Sequence, residues 1–532
     1  MKKRILSVLL CVAMTASMVI GCGGKSDSNK DNTTEGSENT TETNQLVMPV
    51  SATVTSMNRL LESMAEGWFQ LAGFSDELYY AAVDETRYYL AESCTVSDDG
   101  LTYTVKLRDN LKWHDGEAIT ADDILFTIAC VADTNNGASF TNVAYVGEDE
   151  VKVEKVDDLT ATFTLKEPSA SYFELLGHLI LIPEHAFGGN TDIVSAEANL
   201  TDIGSGPYKL VEFNDGESLV LGKFEDYYGD DAQIDTLIYK VIGDASSQEV
   251  AFQNGEINYL SLSSDAAAQK YSAMDNVTVH SLPEGRVNYL AWNKYCATWE
   301  NKDAVKAVFL ALNQDEIVKA VYGNAMGVAA NTIFSNQNLF HDSKVKGYSQ
   351  DLETAKSLAE SAGLAGKTIT LYYNQDRVYM KETALIIQQQ LKAINVNVDV
   401  QGVESSAFFD IVFTDQADYE LYLNGYGATG DPDSVVHGMY NGTWGINVDT
   451  SKEILDLFEK GSVSTDETER QEIYSQLQQL AVDEYLVYPI AYPNLCFATS
   501  SNLQGVEELT TTPVFEDFTK LYFKLRKKCM SA

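Results

Sequence analysis

Apolar and polar residues alternate with a period of two through much of the chain between residue 46 and about residue 280. The clearest run is 102–108, which follows an Asp-Asp-Gly turn. Two further alternating runs, 151–156 and 160–165, stand on either side of an Asp-Asp pair. Because successive side chains of a strand point to opposite faces, this part predicts half-buried strands with short turns, and the last two runs predict a hairpin.

The spacing of the apolar residues changes to three and four after about residue 285. In the run 381–394, four apolar residues share one helical face, and strands are predicted on both sides at 368–373 and 396–400. Such a strand–helix–strand unit predicts a parallel pair of strands in an α/β lobe. The helices predicted along the chain are 121–131, 302–312, 313–323, 351–362, 381–394 and 467–485.

Capping residues support several of these helices. Thr120 stands before two aspartates, and Asn313 stands three residues before Glu316, so each can cap the first turn of a helix. Gly323 and Gly363 follow the last periodic residues and indicate helix ends.

The pattern returns to strands after Pro489, at 495–499 and 521–525. The chain is therefore expected to leave a first lobe, build a second and return, which predicts a hinge. The predicted organisation is a signal peptide over 1–22, a disordered tether over 23–45, a first lobe over 46–283 with an inserted subdomain over about 79–202, a second lobe over 284–488, and a return to the first lobe over 489–532.

The N-terminus predicts export and a lipid anchor. Three basic residues at 2–4 precede an uncharged apolar run over 5–20, which fits a secretory signal better than a membrane span. The following Val-Ile-Gly-Cys resembles a bacterial lipobox, in which Cys22 is acylated. The polar segment 23–45 cannot bury enough surface to fold and predicts a tether. An ordinary signal peptide with a chance Cys22 is the alternative.

Composition excludes some partners. The formal net charge is −41, with 78 acidic and 37 basic residues, so the overall field repels nucleic acids and free anions. The one basic cluster, at 524–528, is expected to be a solvated tail. No cofactor is expected, and after the signal no apolar run is long enough to cross a bilayer.

Five cysteines remain after cleavage of the signal and acylation of Cys22. They are widely spaced and odd in number, without a Cys-x-x-Cys pair. This pattern predicts neither a disulfide framework nor a zinc site, but buried free thiols with at most one disulfide. The five are Cys94, Cys130, Cys296, Cys496 and Cys529.

Two motifs invite a catalytic or cofactor role and are interpreted as structural. His114 and Asp115 are adjacent in a Trp-His-Asp-Gly turn and therefore cannot act as partners. The run 425–430 matches Gly-x-Gly-x-x-Gly, but Pro432 interrupts the helix that a dinucleotide site requires. The histidines show no metal-ligand spacing, and no nucleophile elbow or Walker motif is present. Neither metal binding nor catalysis is expected.

Five ordered blocks then carry a resemblance to a known family. They are 102–124 (TYTVKLRDNLKWHDGEAITADDI), 204–210 (GSGPYKL), 252–257 (FQNGEI), 289–293 (YLAWN) and 351–363 (DLETAK through to AG). In this order they resemble the extracytoplasmic solute-binding proteins of ABC importers, in the class of dipeptide-, oligopeptide- and nickel-binding proteins. The resemblance covers about residues 46–495.

The resemblance implies an α/β fold with two lobes, of the type II periplasmic-binding-protein kind, with an extra subdomain in the first lobe and a ligand cleft between the lobes. It implies a monomeric, lipid-anchored receptor outside the cytoplasm that binds short peptides without catalysis. The receptor would deliver its ligand to two permease subunits driven by cytoplasmic ATPases. Two alternatives are a non-peptide ligand (an oligosaccharide, an amine or a nickel chelate) and a secreted hydrolase.

The resemblance also places the ligand site in the segment around Tyr426. Peptide-binding relatives have a tryptophan at that position and, at the position of Thr429, an aspartate that pairs with the ligand's α-ammonium. This chain is one residue shorter before the Asp-Pro pair, so Asp431 or Asp433 is expected to take that role, unless the ligand lacks a free amine. The predicted ligand-binding residues are Tyr426, Thr429, Asp431 and Asp433.

Overall fold

The computed structural model describes residues 44–62, 65–81, 85–377, 379–414, 419–442, 447–509 and 517–524. The predicted signal peptide, the tether up to residue 43 and the lipidation of Cys22 lie outside these residues. The same holds for Cys529 and for most of the basic cluster. None of the helices among the described residues combines the length and apolar character that a bilayer crossing requires.

Strands form along the whole described part of the chain. They are β1 Gln45–Val50, β2 Tyr79–Ala81, β3 Thr86–Tyr88, β4 Ala91–Val96, β5 Thr102–Leu107, β6 Tyr145–Val146, β7 Asp149–Glu150, β8 Lys152–Asp157, β9 Thr160–Thr164, β10 Tyr208–Asn214, β11 Ser218–Lys223, β12 Thr236–Val241, β13 Tyr259–Ser261, β14 Val277–Pro283, β15 Arg286–Trp292, β16 Gly327–Ala329, β17 Thr368–Asn374, β18 Asn397–Val403, β19 Leu421–Gly427, β20 Tyr488–Ser500, β21 Leu503–Gln504 and β22 Tyr522–Phe523.

The α-helices are distributed along the described residues, and the longest, α15, lies in the second half of the chain. They are α1 Ala65–Leu71, α2 Ala121–Ala132, α3 Thr141–Ala144, α4 Tyr172–Gly177, α5 Glu184–Phe187, α6 Ala245–Asn254, α7 Asp265–Ser272, α8 Lys302–Ala311, α9 Gln314–Val321, α10 Leu352–Ser361, α11 Met380–Leu391, α12 Ser405–Val412, α13 Val436–Tyr440, α14 Lys452–Val463 and α15 Glu467–Asp483.

Three larger sheets organise these elements. One has the strand order β1-β12-β11-β10, and a second, β4-β5-β9-β8, contains the predicted hairpin as the antiparallel pair β8 and β9. The third has the order β13-β20-β15-β19-β17-β18, with β14 and β16 also paired to β20. Strands β17 and β18 run parallel on either side of α11, as the strand–helix–strand pattern predicted.

The predicted helix starts are confirmed by their caps. Thr120 and Asp123 form a capping box at α2. The Thr120 hydroxyl accepts from the N–H of Asp122, and the Asp123 carboxylate accepts from the N–H of Thr120. Asn313 accepts from the N–H of Glu316 at the start of α9, and Asp351 caps α10. Each cap supplies an acceptor for an otherwise unpaired N–H of a first turn.

The strand predicted at 495–499 is longer than expected, because β20 begins at Tyr488 and contains Pro489. This strand pairs with β13 and β14 along one part and with β15 and β16 along another. It therefore joins strands from both sides of the predicted boundary at residue 283. The lobe boundaries themselves stay a prediction.

Four clusters of buried apolar side chains form the core. They lie around the helices that cover β17 and β18, within the segment 60–193, between β15–β19 and α15, and against the sheet of β1 and β10–β12. The four described cysteines are free; Cys94, Cys130 and Cys496 are buried, as predicted, and Cys296 is partly exposed.

The His114 side chain holds a turn. Its Nδ1 accepts from the N–H of Gly204 at 3.1 Å, and its Nε2 donates to the carbonyl of Gly206 at 2.9 Å. Burial lowers the pKa of His114 to about 4, so the neutral ring is retained. Asp115 instead contacts His185 Nε2 at 2.8 Å. The prediction that this motif is structural agrees with these contacts.

Candidate functional site

A cavity of about 570 Å³ lies at the carboxyl end of β19. This volume falls in the range of sites for small molecules. Its walls come from the loop after α1, from α4, and from the start of β15 together with residues 427–430. The cavity therefore brings together parts of the chain that are separated by up to several hundred residues. Its charged lining residues are Arg59, Asp76, Glu77, Glu174, His178, Glu284, Arg286 and Arg377.

The lining is balanced in charge, although the whole chain is strongly acidic with a net charge of −41. Four carboxyl groups face three guanidinium groups and one imidazole. Aromatic rings, among them those of Trp68, Tyr80 and Phe140, complete the walls. Such a surface suits a ligand that carries both charges and some apolar area.

One basic region of the cavity is held by backbone contacts. Arg286 donates from Nη2 to the carbonyl of Gly425 at 2.6 Å, and its Nε lies 3.5 Å from Glu284 Oε1. Burial raises the pKa of the Glu284 carboxyl, and the charges of Arg286 and Arg377 oppose that rise. Fixed in this way, Arg286 can present positive charge without reorganising.

A second cluster of charged and titratable side chains lines another part of the cavity. Arg59 donates from Nη1 to the carbonyl of Ser75 at 2.8 Å and lies with its guanidinium carbon 4.4 Å from the centre of the Trp68 ring. Its Nη2 is 4.0 Å from Glu77 Oε1, and Glu77 Oε2 is 2.8 Å from His178 Nδ1. Glu77 is thus paired on both oxygens.

Asp76 is held by two tyrosines. Tyr227 and Tyr228 donate their hydroxyls to Asp76 Oδ2 at 2.8 and 2.7 Å. Burial raises the pKa of Asp76 to about 7, and these two hydrogen bonds limit the rise.

Glu174 links α4 to the loop after β19. Its side chain is 11% exposed, and its Oε2 accepts from the backbone N–H of Asp431. Its Oε1 lies 4.0 Å from His178 Nε2. Burial raises the pKa of Glu174 to about 8, and the charge of Asp431 adds to the rise while His178 and Arg470 oppose it. Gly430 has a φ of +63°, and a Cβ there would overlap the Glu174 carboxylate.

Of the four residues predicted to bind ligand, Thr429 is in the described lining of the cavity and the other three are outside it. Tyr426 is 5% exposed, and its hydroxyl donates to the carbonyl of Ile333 at 2.7 Å, so it packs in the core. Asp433 Oδ1 lies 2.5 Å from His437 Nδ1.

Asp431 is 2% exposed and forms a two-point ion pair with Arg470 of α15. The distances are 2.8 Å from Oδ1 to Nη2 and 2.7 Å from Oδ2 to Nη1. Both carboxylate oxygens are therefore occupied by a side chain of the same molecule. This placement does not support the predicted role of Asp431 as the partner of a ligand ammonium, although binding itself stays untested for all four residues.

Sequence reasoning missed Glu174, Glu284, Arg286 and Arg377. None of them belongs to a motif with a fixed spacing, and they meet only because the chain folds. The sequence gives an indication for two of them only through their position, because Glu284 and Arg286 stand shortly before the block 289–293.

The glycine-rich run 425–430 ends β19 and does not start a helix. The next helix, α13, begins only at Val436, after Pro432. The interpretation that this run is no dinucleotide site agrees with that geometry. Across the described ranges, the structure brings together no group of three or more His, Cys, Asp or Glu side chains that could hold a metal ion.

Comparisons with known proteins give one consistent result. Residues 85–447 match the family described as bacterial extracellular solute-binding proteins, family 5 Middle. The oligopeptide-binding protein AppA of Bacillus subtilis is 27% identical over 450 residues, which is 78% of this chain and 80% of AppA. The dipeptide-binding protein of Escherichia coli is 27% identical over 447 residues, 78% of this chain and 82% of its own.

Among solved structures, the ABC transporter substrate-binding protein CtaP of Listeria monocytogenes superposes with a TM-score of 0.84 at 32% identity. The match covers 90% of this chain and 99% of CtaP. The mixture of helices and sheets described above, together with this likeness, confirms the predicted two-lobed α/β fold class.

Proposed function

Because the chain belongs to the bacterial extracellular solute-binding proteins of family 5, we propose that it is the substrate-binding component of an ABC importer and that it binds short peptides. Membership in the family confirms the resemblance found in the sequence. The peptide ligand, the lipid anchor and delivery to a permease are the proposed parts.

The observation that carries the peptide proposal is the charge balance of the cavity at the end of β19. A short peptide is a zwitterion with a flexible, partly apolar body, and it needs both a cationic and an anionic contact. The lining offers the guanidinium groups of Arg286 and Arg377, the carboxyl group of Glu174 and several aromatic rings. Two relatives are named as oligopeptide- and dipeptide-binding proteins, which supports the same ligand class here.

Direct contacts between the predicted inserted subdomain and the predicted second lobe support a mechanism of closure on the ligand. Glu174 accepts from the Asp431 N–H, and the N–H of Ala170 donates to the carbonyl of Ser462 at 2.8 Å. Both contacts join the predicted inserted subdomain to the predicted second lobe. A ligand held between the same two parts stabilises their closed arrangement by its differential affinity for it.

Isothermal titration with synthetic peptides of two to eight residues tests this function. At least one length class should bind with a measurable affinity and with a negative heat-capacity change, because apolar surface is buried. The protein should be unfolded and refolded first, so that a retained ligand does not mask binding. Absence of binding for every peptide in the series would contradict the peptide proposal.

A non-peptide solute is the second candidate, and Thr429 is the observation that favours it. This uncharged residue faces the cavity at the position where peptide-binding relatives are expected to have an aspartate. An oligosaccharide, an amine or a nickel chelate would then occupy the same cavity. Native mass spectrometry of protein purified without refolding would distinguish these ligands from a peptide by the retained mass.

We also propose that the protein works as a monomer outside the cytoplasm, held at the outer face of the membrane by lipid on Cys22. The motivation is the lipobox-like sequence and the polar segment behind it. In that position it would pass its ligand to two permease subunits coupled to cytoplasmic ATPases.

Replacing Cys22 with alanine should move the protein from the membrane fraction to the medium. The thiol is the proposed attachment point, and one or two acyl chains hold such a protein to a bilayer. Peptide affinity should stay unchanged, because the segment 23–45 between Cys22 and the first lobe is predicted to be a tether. Fractionation followed by immunoblotting measures the distribution, with Cys94→Ala as a control that keeps Cys22. Retention of the Cys22→Ala protein in the membrane would argue against the anchor.

A further inference from the structure

Glu174 differs from the other carboxyl groups of the cavity in how its charge is balanced. Glu77 is paired with His178 and Arg59, Glu284 lies beside Arg286, and Asp76 accepts from two tyrosine hydroxyls. For Glu174, no lysine or arginine nitrogen of the described residues lies within 4.0 Å. The titratable neighbour at that limit is the imidazole of His178, which also contacts Glu77.

A buried carboxylate without a cation is costly, because burial removes the water that stabilises its charge. The backbone N–H of Asp431 replaces part of that water by donating to Glu174 Oε2. Burial still dominates, so the group favours its neutral form, in agreement with the raised pKa of about 8. The titratable and charged groups near it are His178, which caps the end of the same helix, and the ion-paired Asp431 and Arg470 behind the loop after β19. Asp431 and Arg470 balance each other in their own ion pair.

We propose that Glu174, on α4, binds the ammonium group of the ligand next to the loop that follows β19. This inference rests on the proposed function and names the group that selects ligands with a free amine. Thr429 next to Gly430 carries no charge, so the carboxylate that meets the ligand at this point is Glu174.

The register of β15 and β19 supports this assignment. Arg286 pairs with Gly427, whereas Glu174 packs on Gly430, three residues further along. Arg286 and Glu174 therefore meet the cavity at different points along this segment. A ligand with both a carboxylate and an ammonium can contact both side chains.

Ammonium binding should release a proton from Glu174. The neutral carboxyl loses its proton to the solvent, and the resulting carboxylate pairs with the ligand's ammonium, which keeps its own protons. Because the pKa of Glu174 is about 8, the Glu174 carboxyl is protonated in most protein molecules at pH 6.5. Binding at pH 6.5 should therefore release close to one proton per ligand.

The experiment compares two ligands and three proteins by isothermal titration at pH 6.5. The ligands are the tightest-binding peptide of the two- to eight-residue series and its des-amino analogue, in which hydrogen replaces the α-ammonium. The proteins are the wild type, Glu174→Gln and, as a control with the same substitution outside the cavity lining, Glu249→Gln, whose carboxylate pairs with Lys270. Repeating each titration in two buffers of different ionisation enthalpy gives the number of protons released.

The wild type should prefer the peptide over its des-amino analogue by about 10- to 100-fold, which is the size of a charge-assisted hydrogen bond. Glu174→Gln should lose this preference and the proton release together, whereas Glu249→Gln should retain both. Equal binding of the two ligands by the wild type would overturn the role of Glu174 and leave the peptide function intact. That comparison needs no variant, so poor folding of Glu174→Gln does not affect it. Failure of the wild type to bind any peptide would overturn both.

Discussion

Replacing Asp431 with asparagine should lower the free energy of unfolding of the ligand-free protein by roughly 3–5 kcal/mol, the cost of breaking a buried ion pair from one side. Arg470 is 7% exposed, and the substitution leaves its guanidinium without a counter-ion. The remaining contacts of Arg470 are the carbonyl of Gly461 at 2.8 Å, the hydroxyl of Tyr474 at 3.3 Å and the Phe340 ring. These neutral groups cannot replace a carboxylate. Chemical denaturation without ligand measures the change.

Asp433→Asn provides the matched control. Asp433 lies two residues away and contacts His437 rather than an arginine, so its replacement should cost much less, about 1 kcal/mol. If Asp431 were instead the ammonium partner, Asp431→Asn would leave stability close to that of the wild type and reduce peptide affinity. That outcome would contradict the structural role argued here.

Replacing Gly430 with alanine should reduce peptide affinity by tenfold or more, because a Cβ at this position displaces the Glu174 carboxylate. The left-handed backbone at φ +63° adds roughly 1–2 kcal/mol of strain for an L-residue. The variant therefore combines a general loss of stability with a specific loss of binding. Thermal unfolding and isothermal titration with the same peptide measure the two effects separately.

Gly363→Ala is the control for backbone strain without displacement of a neighbouring side chain. Gly363 has a φ of +68°, close to that of Gly430, but no atom lies within 4 Å of an added Cβ. It should show a similar loss of stability with unchanged affinity. Equal affinities for the Gly430→Ala and wild-type proteins would mean that the position of Glu174 does not matter for binding.

The local elements of the fold could be predicted because their determinants are local. Thr120 and Asp123 cap α2 within one turn of the helix, and the parallel strands β17 and β18 follow from the pattern around α11. The start of β20 could not be predicted. A proline usually argues against a strand, but the register of β15 and β20 shifts between Asn288 and Tyr289, next to Pro489. This irregularity accommodates a residue that has no N–H to donate.

The site was harder to predict because its chemistry depends on contacts between distant residues. The segment around Thr429 was located from the resemblance, and Thr429 does line the cavity. Nothing in the sequence indicates that Asp431 meets Arg470, 39 residues later, or that Glu174 meets a loop 257 residues later. Whether a carboxylate is available to a ligand or occupied by an internal cation is decided by packing alone.

The position of β20 between β13 and β15 has a consequence for biosynthesis. Residues 488–500 supply an interior strand of the largest sheet, yet they are translated after its neighbours. Until they emerge from the ribosome, the edges that β13, β14 and β15 offer to β20 have no native partner. The nascent chain therefore cannot complete this sheet while it is being made, and native folding is postponed until nearly the whole polypeptide exists. A delay of this kind keeps the chain in a state that can still be threaded through a translocation channel.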